Sequence, residues 1–323
     1  MKDTDYAYAV ARIRTNEGKL LTTAQMQTLT DAPSFERALL DLKNLGWLED
    51  DGERDISAII ARQNAALWEL LQAVVPDKDE LGALTALNDF FNLKAALKCM
   101  LTEQDPAPLY QWPTMLDLEA LTESVKAHAF DRLPPSFAAC AKRAFEAAHR
   151  TESGQSADIL IDEAALRFLA SVKENTKSEL LQSVYSFMCD STNIKVALRC
   201  ARTGKDLSFT ESAVGPCFAL EKSQLCFAAV QGEAALFAYL SSTPLSEGAA
   251  LLQTSTSRFE KWCDDVVIEK AKAAKYVFFG FDPIAAYFFA KTAEIKTVRI
   301  LLSAKKAGVA PEIIKERVRA LYV

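Results

Sequence analysis

No stretch of this chain stays apolar long enough to cross a bilayer. The longest run without a charged residue lies between Glu233 and Glu247 and is thirteen residues long, against the roughly 20 that a spanning helix needs. The opening Met1-Lys2-Asp3-Thr4-Asp5 has no apolar core, so a secretory leader is not expected. No polybasic stretch suggests direct attachment to anionic lipid. Histidine is scarce: His128 and His149 are the two present, both in alanine-rich helical sequence. Neither has a nucleophile nearby and no HExxH occurs, so both read as helix-surface residues rather than a general base or zinc ligands. The seven cysteines are odd in number, widely spaced and without a CxxC pair. That excludes a disulfide framework and reads as buried, reduced thiols in a cytoplasmic chain.

Phosphate-binding loops are missing too. Gly204-Lys205-Asp206 lacks the earlier glycine and the following Ser/Thr of a Walker A loop, Gly18-Lys19-Leu20 fails likewise, and no GxGxxG is present. No cofactor or metal is therefore expected, and no chemistry of this chain's own on ATP or NAD. Glycine and proline number only 11 each among 323 residues, of which 50% are hydrophobic and 25% charged, which excludes collagen-like and disordered chains. The 43 acidic and 37 basic residues leave a net charge of −6, the wrong sign for a general nucleic-acid binder.

What is present is helical periodicity almost everywhere. Tyr6, Val10 and Ile13 fall at i, i+4, i+7 in a helix over 4–17, and Thr22-Thr23 opens a short one to Leu29. Ser34 is an N-cap for a helix to about Leu45, and Asp55 caps a longer one ending at Pro76. Further helices are predicted over 80–102, 118–131, 136–150, 157–174 and 178–202, with a polar loop over Thr151–Ser156. The last third reads as helices near 221–241, 245–253, 257–278, 282–306 and 311–321, with Pro283 and Pro311 near helix starts. The fold class is all-α.

Three of these helices share one pattern: Asp89-x-x-Asn92-Leu93-Lys94-x-x-Leu97, Asp190-x-x-Asn193-Ile194-Lys195-x-x-Leu198 and Glu294-x-x-Thr297-Val298-Arg299-x-x-Leu302. The basic positions are 101 and then 104 residues apart. Such steps indicate one helical unit used three times, over 1–106, 107–210 and 211–323. They exceed the 20–50 residues of solenoid repeats and favour three small domains around a common axis. On a helix the acid and two apolar residues fall at i, i+4 and i+8 on one stripe, with the Asn/Asn/Thr beside it and the Lys/Arg turned away. Polar groups on an apolar stripe need hydrogen-bond partners. The acid and Asn/Thr therefore read as packing anchors between helices, with Arg12 or Arg14 as ion-pair partner of Asp89. In a second reading, Lys94, Lys195 and Arg299 line a charged surface around a threefold-like axis. Asp55, Asp162 and Asp264 supply an acid about thirty residues before each pattern and read as caps or anchors. The aromatic stretches Tyr276-Val277-Phe278-Phe279 and Tyr287-Phe288-Phe289 read as domain core or as anchors for a partner.

In order and spacing these stretches resemble a known family. Tyr8-Ala9-Val10-Ala11-Arg12-Ile13-Arg14 followed by Glu17-Gly18-Lys19-Leu20-Leu21 is similar to its opening. Ile161-Asp162 and Asn193-Ile194-Lys195-Val196-Ala197-Leu198-Arg199 are similar to its middle. Phe279-Gly280-Phe281-Asp282-Pro283, Ala286-Tyr287, Ala290-Lys291, the stretch from Glu294 to Leu302 and the terminal Leu321-Tyr322-Val323 complete the likeness. The family is the C-subunit of the archaeal and bacterial A/V-type rotary ATP synthases, related to the d-subunit of eukaryotic V-ATPases. Asp282 stands where members often carry Glu, and Thr297 where Asn is frequent; both keep the chemical type.

The resemblance implies an all-helical, pseudo-threefold funnel without catalytic residues. It implies a peripheral subunit on the cytoplasmic face of the membrane, a spacer between the central shaft and the membrane rotor ring that transmits torque. Its partners would be ring and shaft subunits of the same ATPase, with membrane association through those proteins, no nucleic acid and no obligate homo-oligomer. The competing expectation is a soluble all-helical adaptor unrelated to rotary ATPases.

Overall fold

The computed structural model describes residues 3–48, 53–151 and 154–323. Among these there are sixteen α-helices and no strand. They are α1 (Ala7–Glu17), α2 (Thr23–Asp31), α3 (Phe35–Asn44), α4 (Ile56–Val74), α5 (Lys78–Leu101), α6 (Leu118–Lys126), α7 (Pro135–Thr151) and α8 (Gly154–Asn175). The second half has α9 (Glu179–Arg202), α10 (Leu207–Ala213), α11 (Lys222–Val230), α12 (Glu233–Ser241), α13 (Ser246–Thr254), α14 (Thr256–Lys272), α15 (Asp282–Lys306) and α16 (Pro311–Arg317).

Local chemistry sets the helix starts. Thr22 and Gln25 form a reciprocal capping box at α2, and Ser34, Asp55, Asp117 and Asp206 each accept a first-turn N–H. Pro283 and Pro311 occupy first-turn positions, where the missing donor leaves nothing unpaired. The helix expected over 221–241 is instead two: Gly232 adopts φ +109° between α11 and α12, a conformation open to glycine and closed to most other residues. The seven-residue α10 falls outside the expected helices, and the helix expected to reach 278 gives way to a 3₁₀ turn at Ala273–Tyr276. α16 stops at Arg317, short of the expected 321. Of the polar loop expected over 151–156, residues 152 and 153 lie outside the described residues, and the helices on either side reach Thr151 and Gly154.

The chain forms two compact units, each drawn from separated stretches. One comprises Met1–Asp77, Ser178–Val184 and Ala250–Val323; the other comprises Lys78–Lys177 and Tyr185–Ala249. In the first, α15 packs against α14, α4, α1 and α3, so both ends of the sequence share one core. Met26, Leu29, Leu42 and Ile59 meet Val298, Leu301, Leu302 and Ile314 there. Six consecutive residues of α15, Ile284 to Phe289, are buried, as befits a helix enclosed on all sides rather than along one stripe. In the second unit α5 packs against α6, α7 and α8. Phe90 and Phe137 lie 4.7 Å apart between ring centroids in a core that also holds Leu93, Leu97, Leu121 and Ile161.

Candidate functional site

The repeated acid and its i+3 neighbour do one job on α5 and α9: they hold the loop that leads into the next short helix. On α5, Asp89 accepts hydrogen bonds from the Thr85 hydroxyl (2.8 Å), the Thr114 hydroxyl and the Met115 N–H (3.0 Å). Asn92 grips Gln111 from both sides, donating Nδ2–H to its carbonyl (3.0 Å) and accepting its N–H (2.7 Å). On α9, Asp190 accepts the N–H groups of Phe218 (2.9 Å) and Ala219 (2.8 Å). Asn193 donates to the Pro216 carbonyl (2.8 Å) and accepts the Gly215 N–H (2.9 Å). Gly215 must be glycine for space as well: a Cβ there would sit 2.8 Å from Leu166 Cβ. In both cases the loop leads to an N-cap, Asp117 before α6 and Glu221 before α11.

The third copy reaches across the sequence. Glu294 accepts the N–H of Leu21, 273 residues away and next to Thr22, the cap of α2. It also pairs with Lys291 (2.6 Å). Thr297 turns inward to the Ala293 carbonyl of its own helix (2.8 Å) and grips no loop. All three acids are buried. Burial pushes the carboxyls of Asp89, Asp190 and Glu294 above their usual range, against the pull of the hydrogen bonds they accept.

The basic members of the pattern diverge. Lys94 pairs with Asp162, while Lys195 is half-buried and Arg299 exposed, neither in an ion pair among the described residues. The early acids diverge as well. Asp55 is an N-cap on the Ser57 N–H (3.0 Å), whereas Asp264 pairs with Lys296 (2.6 Å) and the buried Arg319 (3.0 Å).

The expected pairing of Asp89 with Arg12 or Arg14 is corrected. The Asp89 oxygens are filled by hydroxyl and N–H donors, and Arg14 serves a different structure. Its guanidinium binds both oxygens of Glu17 (2.8 and 2.9 Å) and donates to the carbonyls of Ala274 (2.7 Å) and Val277 (2.6 Å). The Tyr322 hydroxyl donates to Glu17 (3.0 Å), and the Lys275 ammonium lies over the Tyr322 ring, 4.7 Å from its centroid. Arg14 thus fixes the base of the turn that carries the first aromatic stretch.

That stretch and the second one part company. Tyr287, Phe288 and Phe289 are core residues of α15. Tyr276, Phe278 and Phe279 are 82%, 70% and 56% exposed. Three exposed aromatic side chains within four residues, on a backbone tied at Ala274 and Val277, form a preorganised apolar anchor. Sequence could not separate the two stretches, since both are aromatic runs flanking one helix start.

Among the described residues the remaining sequence candidates form no cluster of acid, base and nucleophile. Among the described residues no group of three or more His, Cys, Asp or Glu could hold a metal ion. Both histidines are exposed and pack on Phe145, each with ring centroids 4.4 Å away. Cys217 and Cys263 are half-buried and the other five cysteines buried. Burial pushes the Cys189 and Cys217 thiols up to about 12, which removes them as nucleophiles at neutral pH. No helix among the described residues is long and apolar enough to cross a membrane.

Two comparisons bear on identity. The chain is 25% identical over 282 residues to the C-subunit of the V-type sodium ATPase of Enterococcus hirae, covering 85% of each chain. The sequence profile of the family described as ATP synthase (C/AC39) subunit matches residues 9–317, which include all three repeated acids and the exposed aromatic turn. With nearly its whole length matched, the chain belongs to the ATP synthase (C/AC39) subunit family.

Proposed function

We propose that this subunit is the non-catalytic spacer of the central stalk, seated on the cytoplasmic face of the membrane between the shaft and the rotor ring, and that it passes torque from one to the other. The observation that carries the reading is the exposed Tyr276, Phe278 and Phe279 on a turn held by Arg14. An anchor that bears load gains from being ordered before it binds, because less conformational entropy is then lost on docking. The repeat supports the same reading. A ring of many copies and a single shaft cannot share one symmetric interface, and a separate piece with unlike faces resolves the mismatch. Three copies of one helical unit around an approximate threefold axis, closed into a funnel, would supply such a piece. Each unit, over 1–106, 107–210 and 211–323, would carry one acid-bearing long helix, α5, α9 or α15. Asp89/Asn92, Asp190/Asn193 and Glu294/Thr297 are then the seams that keep each unit rigid, and Lys94, Lys195 and Arg299 lie outside them.

The test is affinity capture of the tagged protein from detergent-solubilised membranes of its own organism. The expected result is recovery of ring and shaft subunits with the natural chain. A Tyr276→Ser/Phe278→Ser/Phe279→Ser variant should lose one of those two partners while its thermal unfolding stays unchanged. Recovery of neither partner by the natural chain would favour a soluble adaptor and overturn the reading.

A further inference from the structure

The first unit contains a cleft of ≈ 560 Å³, walled by α1, α4 and α15 and by the loops on either side of α2 and α3. Its volume falls within the range of small-molecule sites, roughly 300–1,000 Å³. Among the described residues three cationic side chains line it, Arg12, Lys19 and Lys291, and no aspartate or glutamate does. In a chain of net charge −6 that is a local reversal of sign. Lys291 is held in place by Glu294 behind the wall (2.6 Å) and by the Trp47 ring beneath it, 4.5 Å from the centroid. Among the described residues the Lys19 ammonium has one hydrogen-bond partner, the neutral Asn16 side chain (3.1 Å). The Arg12 side chain is exposed and has no hydrogen-bond or ion-pair partner among the described residues. Counting Glu294, the cleft keeps a surplus of about two positive charges, with Gln63 and Tyr287 adding polar groups at the wall.

We infer that this cleft binds a small polyanion through its phosphoryl oxygens, with the Arg12 guanidinium and the Lys19 ammonium as the main contacts and Lys291 as a fixed charge at the wall. Arg12 offers a planar fork that matches a phosphoryl group, and Lys19 a mobile point charge that follows it. A chain of two or three phosphates satisfies separated cations that a single carboxylate cannot bridge. The inference stands apart from the spacer reading and survives its failure.

The experiment is isothermal titration of the purified full-length protein with sodium tripolyphosphate at low ionic strength, repeated with ATP. Expected is one saturable site of ~1 mM affinity or tighter. An Arg12→Gln/Lys19→Gln variant, altered only at exposed side chains, should bind at least about tenfold more weakly with an unchanged melting temperature. Arg299→Gln, an exposed cation outside the cleft, should bind like the natural protein. ATP should bind no tighter than tripolyphosphate and lose affinity in the same double variant, which would place recognition in the phosphates. Absence of saturable binding, binding that survives the double variant, or an equal loss in Arg299→Gln overturns the inference.

Discussion

Replacing Asn193 by leucine and Thr297 by valine should separate two side chains that occupy the same place in the repeat. Both are fully buried, and both replacements keep the number of side-chain heavy atoms, although leucine is bulkier than asparagine and adds some overpacking to the loss. Asn193→Leu removes the bonds to the Pro216 carbonyl and the Gly215 N–H. Gly215 is buried, so its N–H would lose its partner away from water. A buried donor left unpaired costs about 1–3 kcal/mol, and the lost carbonyl bond adds about 1 more. The expected loss is therefore about 2–4 kcal/mol. Thr297→Val removes only a bond to the Ala293 carbonyl of its own helix, and that carbonyl keeps its backbone partner; the expected loss is under about 1 kcal/mol. Urea unfolding followed by circular dichroism measures both, and hydrogen exchange at Gly215 reports the loop directly. Equal losses for the two variants, or an Asn193→Leu loss below about 0.5 kcal/mol, would refute the view that the repeat holds loops through its i+3 position.

Two further outcomes follow from the same contacts. Arg14→Gln should cost about 2–3 kcal/mol, because charge-assisted bonds to two carbonyls and Glu17 disappear together, and should speed hydrogen exchange at the Val277 amide. Arg14→Lys should restore only part, since one ammonium cannot span those acceptors; full rescue would contradict the geometry. Asp190 holds its proton more tightly folded than unfolded, because burial raises its carboxyl. Its contribution is fully present below the ordinary aspartate range, about pH 4, and is lost as pH rises through the raised folded value. The stability advantage of the natural protein over Asp190→Asn should accordingly shrink as pH rises above about 4. An advantage that grows with pH would show that the hydrogen bonds from Phe218 and Ala219 outweigh burial.

Much of the fold is legible along the chain, and the limits have physical causes. Local chemistry sets caps, so Ser34, Asp55, Pro283 and Pro311 mark helix starts in the sequence as they do in the fold. The polar residues of the repeat stand out by sitting on an apolar stripe, but a stripe does not say what fills it. The partner of Asn193 is a backbone N–H 22 residues on, and that of Glu294 lies at the other end of the chain. Charge complementarity suggests Arg14 for Asp89, yet carbonyls carry no charge in a sequence and two of them bind Arg14. Gly232 is hidden inside an apolar run because its positive φ is a property of the fold. Composition likewise offers no means to place Phe279 outside and Phe289 inside; burial depends on which neighbours arrive.

The proposed role is tested most directly by reassembly from purified parts. Detergent-solubilised rotor ring is immobilised, shaft subunits are added with and without this chain, and retained shaft is quantified. A spacer predicts that the shaft stays on the ring only when the chain is present, and that the triple serine variant at 276, 278 and 279 fails to retain it. Shaft that binds the ring equally well in its absence would contradict the account.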